Sequence, residues 1–112
     1  MSDPIDLEVA VERLGGDREL LRELAGMFVE DAAEAIGRYR ERLAADDWPQ
    51  AKRAVHSLKG LFGLVEANAG VAIASELEQD AIARTPSATG RVDALQDEYD
   101  RVVVALREQL EL

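Results

Sequence analysis

The sequence predicts an all-α protein, an antiparallel four-helix bundle with a short additional helix at its N-terminus. Three observations point there. Apolar residues recur in steps of three and four along most of the chain, no stretch alternates with period two for long enough to make a strand, and the connections are short. Few aromatics (4%) and many alanines make a helix-friendly mixture. The 112 residues hold no internal repeat or low-complexity tract and read as one domain, residues 1–112.

The elements follow in order. In "SDPID", Asp3 is placed to cap a helix with Pro4 at its first position, where a missing N–H costs nothing. That short helix runs over about residues 4–14 and stops at Gly15-Gly16, which accept the positive φ of a helix end. Asp17 opens a long amphipathic helix whose apolar positions are Leu20, Leu24, Met27, Phe28, Ala35, Tyr39 and Leu43. "DWPQ" begins the third, with Asp47 as cap, Gln50 completing a capping box and Pro49 tolerated in the first turn. It runs to about residue 66 on the stripe Trp48, Ala51, Val55, Leu58, Phe62 and Val65. "ANAG" is the next break, with Asn68 ending the third helix or capping the fourth. The fourth covers about residues 69–84 on Ile73, Leu77 and Ala81. "TPSATG" is a connection, and the last helix carries Val92, Leu95, Tyr99, Val102, Leu106 and Leu110 as a narrow seam.

Composition excludes several function classes. With no cysteine there are no disulfides, thiolate metal sites or cysteine nucleophile. A formal net charge of −10 argues against nucleic acid and anionic membrane partners. The start "MSDPIDLEVAVERLGG" lacks the basic and apolar regions of a signal peptide, and no apolar run approaches the ~20 residues that span a bilayer. A cytoplasmic monomer is expected.

His56 in "AVHSLKG" is the only histidine. At about 100° per residue it lies opposite the apolar stripe of the third helix, with Lys52, Arg53, Lys59, Gly60 and Gly63 within about 60° of it. Each helical glycine costs up to about 1 kcal/mol relative to alanine, and both fall beside the imidazole, where a missing Cβ clears room for something large. Lone surface histidines are usually inert, and helical glycines sometimes serve only close packing. Here an exposed imidazole, an adjacent cation, cleared space and a local positive patch converge in an acidic protein.

A neutral imidazole is a good nucleophile near pH 7 and can hold a phosphoryl group as a phosphoramidate. Lys59 is placed to donate a charge-assisted hydrogen bond to phosphoryl oxygens, with Lys52 and Arg53 adding longer-range attraction. The chain has no GxxxxGK[ST] loop, no GxGxxG and no acidic cluster arranged for magnesium. It reads as a phosphoryl carrier without kinase activity of its own, loaded and unloaded by partners.

"AVHSLKGLFGLVEA" closely resembles the signature of histidine phosphotransfer (HPt) domains, the intermediates of multistep two-component phosphorelays. His56, Leu58, Lys59 and Gly60 match its order of His, hydrophobic residue, Lys and Gly, and "LGGDRELLRELAGMFVED" looks like the family's N-terminal stretch. The resemblance implies a four-helix bundle with the phosphorylated histidine exposed on a central helix. It implies partners too: response-regulator receiver domains, whose aspartate exchanges the phosphoryl group, and a hybrid histidine kinase. No cofactor of its own is implied, since magnesium belongs to the receiver. His56 would be the acceptor, Lys59 would stabilise the phosphoryl group, and Gly60 would let the receiver approach. Two departures stand out: Leu61 and Phe62 where small or polar residues often follow the Lys-Gly, and Glu66 where a glycine is common.

Docking needs exposed apolar surface, for which Leu64, about 80° from His56, and the pair Val29 and Ile36 are candidates, burial being the alternative for all three. The partner of the other imidazole nitrogen is left open among Asp31, Glu34 and Arg38 of the second helix. The competing reading is an HPt-like interaction bundle that binds receivers without being phosphorylated, although such a binder needs neither His56 nor Lys59. A metal or haem bundle is poorly supported by one histidine, and no serine or acidic pair is placed beside His56 for hydrolysis. The N-terminal Met and the bundle's end at the C-terminus favour a free-standing protein over a piece of a kinase.

Overall fold

The computed structural model describes residues 3–86 and 89–112, and among these the chain forms five α-helices and no strand. They are α1 (Leu7–Arg13), α2 (Arg18–Ala44), α3 (Trp48–Leu64), α4 (Asn68–Ile82) and α5 (Thr89–Leu110). Within the expected connection at 85–90, Ser87 and Ala88 lie outside the described residues. Short connections make successive helices antiparallel, and α2, α3, α4 and α5 close a ring in which each packs on its neighbours, with α1 against α2. No helix among the described residues is long and apolar enough to cross a membrane.

The first helix starts later than the sequence predicts. Asp6, not Asp3, is the cap, accepting from the Val9 N–H at 3.2 Å. Asp3 turns back on the Ile5 N–H at 3.2 Å, and its other oxygen accepts from Gln109 Nε2 at 2.9 Å. The cause is tertiary: Ile5 is buried in the core, and the Asp6 N–H donates to the Glu66 carbonyl at 3.1 Å. Asp17 and Asp47 cap α2 and α3 as expected, accepting from Leu20 N and Gln50 N. Asn68 is the first residue of α4, behind an Ala67 cap that offers no side-chain bond.

Four helices end in the same way, with a left-handed residue whose neighbour's N–H closes a six-residue loop to a carbonyl in the last turn. Gly15 (φ 69°) ends α1, as predicted, with Gly16 N–H bonded to Val11 O at 2.9 Å. Asp46, Glu66 and Arg84 adopt φ of 53–54° at the ends of α2, α3 and α4. The glycine often found near the end of α3 is thus replaced at the left-handed position itself. Glu66 is held there by the Asp6 hydrogen bond and by an ion pair to Arg13 at 2.9 Å.

The core draws on all five helices. On α3, Ala51, Val55, Leu58, Phe62 and Val65 are buried as expected, while Trp48 is half-buried at the rim. The α5 seam from Val92 to Leu110 is buried as read. The α2 stripe is rotated from the expected one. Leu21, Ala25, Phe28, Ala32, Ala35, Ile36 and Tyr39 point inward, whereas Leu20 and Met27 are exposed and Leu24 and Leu43 half-buried. Small residues let neighbours approach closely, so Ala25, Ala32 and Ala35 share the packed face with Leu21, Phe28, Ile36 and Tyr39.

Phe62 anchors this packing. Its ring sits 5.4 Å from that of Phe28, which in turn stacks on Tyr99 at 5.8 Å, joining α3, α2 and α5. Burial raises the Tyr99 phenol above its ordinary 10.0, so it stays protonated and donates to the Val29 carbonyl at 2.5 Å. On its other side the Phe62 ring lies over the α4 backbone at Gly70, where an added Cβ would overlap the ring. The aromatic residue after the Lys-Gly pair is therefore core, matched by a glycine on the facing helix.

Gly70→Ala is expected to destabilise the fold by about 1–3 kcal/mol through overpacking. Denaturant unfolding should show much of that loss recovered when Phe62→Leu is added, because the two positions share one contact.

Candidate functional site

His56 lies midway along α3 with its side chain 70% exposed, on the face turned away from the buried stripe. Its neighbours on α3 stand as the spacing predicts. Lys52 and Arg53 are exposed, Lys59 is half-buried, and Gly60 is exposed. A Cβ built on Gly60 or Gly63 would meet nothing within 4 Å, so no contact inside the protein requires either glycine. Leu64 is 48% exposed and lines a groove with Gly60, Leu61 and Ser57 that is walled by Asp31, Glu34 and Arg38 of α2. Val29 is half-buried and Ile36 buried against the core, so that pair offers no docking surface.

The second imidazole nitrogen is not served by α2. Glu34 pairs with Arg38 at 3.0 Å, and the bond to His56 comes from α4: Nδ1 lies 2.6 Å from Glu78 Oε2. The other oxygen of Glu78 accepts from Lys59 Nζ at 3.4 Å. One buried carboxylate thus holds both residues that the motif singled out. Its signal in the sequence was an acid set among the small and apolar residues Gly70, Ala74, Leu77 and Ala81, the buried stripe of α4. That stripe faces α3, a pairing that periodicity within one helix does not report.

The electrostatics fix the imidazole's form. Burial raises the Glu78 carboxyl, but the hydrogen bonds from His56 and Lys59 and the charges of the same two groups outweigh it, leaving it below its ordinary 4.5. Glu78 is ionised at neutral pH and can only accept, so Nδ1 carries the proton. The lone pair then sits on Nε2, which has no hydrogen-bond partner among the described residues. Around it, Pro49, Lys52, Arg53, Ser57, Glu78 and Ile82 line an open recess of about 810 Å³. The arrangement can present one uncharged nucleophilic nitrogen, with an ammonium group nearby to neutralise an incoming anion. Among the described residues, no three His, Cys, Asp or Glu side chains come together to hold a metal ion.

Residues 23–111 match the family model of the Hpt domain. Two solved structures share the fold. Histidine-containing phosphotransfer protein B (HptB) from Pseudomonas aeruginosa superposes with a TM-score of 0.88 at 20% identity, covering 99% of this chain and 97% of that one. The HPT domain of a sensor hybrid histidine kinase from Shewanella gives 0.81 at 17% identity, over 97% and 95% of the two chains. Among curated proteins, nothing matches this chain.

Glu78→Gln should unlock the tautomer: nitrogen-15 shifts of His56 are expected to move from a Nδ1–H pattern toward a mixture. The same variant tests the linkage. A carboxyl held below 4.5 in the folded state contributes stability that is complete above pH 4.5 and lost as pH falls through its folded value. The stability gap between wild type and Glu78→Gln is therefore expected to narrow below pH 4.5 in denaturant titrations.

Proposed function

The chain belongs to the Hpt domain family, and on that premise we propose that His56 is the residue on which it carries the phosphoryl group. Hpt domains work with receiver domains and histidine kinases in phosphorelays, and this chain is a histidine phosphotransfer protein of that kind. The observation that carries the assignment to His56 is the Nδ1–Glu78 bond of 2.6 Å beneath an exposed imidazole. A protein that merely bound receivers would gain nothing from a buried carboxylate spent on orienting a surface ring.

The transfer follows from that geometry. Nε2 attacks the phosphorus of a receiver's acyl phosphate, the bond from phosphorus to the aspartyl oxygen breaks, and the aspartate leaves as a carboxylate. The ring keeps its Nδ1 proton and becomes a phosphoimidazolium whose positive charge faces Glu78. Lys59, 3.4 Å from Glu78, leaves that carboxylate for a phosphoryl oxygen by rotation of its own side chain. The reverse sequence delivers the group to a second receiver. A magnesium ion held by the receiver would screen the charge on the acyl phosphate. Gly60 leaves the partner's backbone room to approach, and Leu64 gives it an apolar contact at the groove's edge.

Phosphorylated receiver domains incubated with this protein should label the wild type and not His56→Gln, with label that survives base and is lost in acid. Failure of every receiver to label the wild type, with binding retained by both proteins, would sink the assignment. Gly60→Ala separates stability from function. It should stabilise the free protein by up to about 1 kcal/mol, since its Cβ meets open space, while slowing phosphoryl uptake from receivers at least about tenfold.

A further inference from the structure

Beside the His56 recess, α2 and α3 enclose a cleft of about 110 Å³ lined by Arg38, Arg42, Gln50, Arg53 and Ser57. Three arginines lining one small cleft are unexpected in a chain of net charge −10. Their partners inside the protein are weak. Arg38 is paired at 3.0 Å with Glu34 one turn away, and both side chains are largely exposed. Arg42 lies 3.9 Å from Asp47, whose other oxygen already accepts from Gln50 N. Arg53 has no ion-pair partner among the described residues, and the Ser57 hydroxyl donates to the Arg53 carbonyl at 3.1 Å, which leaves its oxygen free to accept.

We infer that this cleft receives a carboxylate side chain of the partner receiver domain and so sets which receivers dock productively; the inference rests on the reading of His56 as the phosphoryl carrier. The size suits one oxyanion rather than a nucleotide. Guanidinium forks match carboxylate oxygens in pairs, a geometry that a lysine cluster would not offer. The position supplies the source. Ser57 borders this cleft, the His56 recess and the Gly60–Leu64 groove alike, and Arg53 borders the first two. A protein that brings its aspartate to Nε2 covers Ser57, so an acid beside its docking face comes to rest over the arginines. The Glu34–Arg38 pair is a surface pair that gives way to such a group at little cost.

Arg38→Gln/Arg42→Gln, compared with wild type, tests this with the receiver that labels His56 fastest. Phosphoramidate, a small donor that needs no docking, should label both proteins at the same rate. With the receiver, the half-saturating concentration should rise about tenfold in the variant at about 50 mM salt, with the maximal rate unchanged. The difference should shrink to within about twofold near 0.3 M salt, as expected of an ionic contact at an interface rim. Equal half-saturation and equal salt dependence in the two proteins would overturn the proposal. Arg42→Glu adds an independent arm. Restored docking by one acid-to-lysine change on the receiver identifies the carboxylate, and absence of any such rescue assigns the cleft to another role. If phosphoramidate leaves wild-type His56 unlabelled, the reading of the histidine fails first, and the docking inference with it.

Discussion

The contact between the Phe62 ring and the bare backbone of Gly70 sets the distance on which the site depends. From Gly70 to Glu78 is about 12 Å along α4, and from Phe62 back to His56 about 9 Å along the antiparallel α3. Close approach at the first pair therefore brings the second pair into hydrogen-bond reach. A wider helix spacing would strand the Glu78 carboxylate, buried with nothing to accept, and would leave the imidazole free to rotate and change tautomer. Core packing and chemistry are here one constraint read at two places on the same interface.

The site divides its work between a buried carboxylate and an exposed imidazole. Glu78 tolerates burial because both its oxygens are engaged by donors from α3. His56, in turn, tolerates exposure because orientation comes from below rather than from neighbours around it. The face around Nε2 is left open as a result: glycines without contacts, a half-exposed leucine, and cations in a chain that is otherwise strongly acidic. The two glycines weaken the helix locally and serve no packing. They fit the proposed approach of a receiver to Nε2.

The rest of the bundle acts as a rigid mount. Arg18 and Arg22 at the start of α2 donate to the Gln109 and Glu111 carbonyls at the end of α5, tying the first and last long helices together. The row of rings Phe62, Phe28 and Tyr99 crosses the core, and the Tyr99 hydroxyl adds a bond to a carbonyl of α2. Phosphoryl transfer as proposed above would call for rotation of the Lys59 side chain rather than movement of a helix.

The sequence alone determined the local features. Asp17 and Asp47 as caps, Gly15-Gly16 as a helix stop, the α3 and α5 stripes and the outward direction of His56 all follow from interactions within a few residues, which spacing records directly. What only the tertiary structure decided depends on which helix faces which. On the α2 stripe Phe28, Ala35 and Tyr39 are buried as read, but Leu20, Leu24, Met27 and Leu43 were misplaced because alanines share the packed face, and helix contact, not hydrophobicity, selects them. The first helix began a turn late because its lead-in segment bonds to the end of α3. Glu78 was missed, and residues of α2 considered in its place, because a hydrogen bond across 22 positions leaves no periodic trace in either helix. Periodicity reports the direction in which a side chain leaves its own helix, and only the packed bundle determines what it meets there.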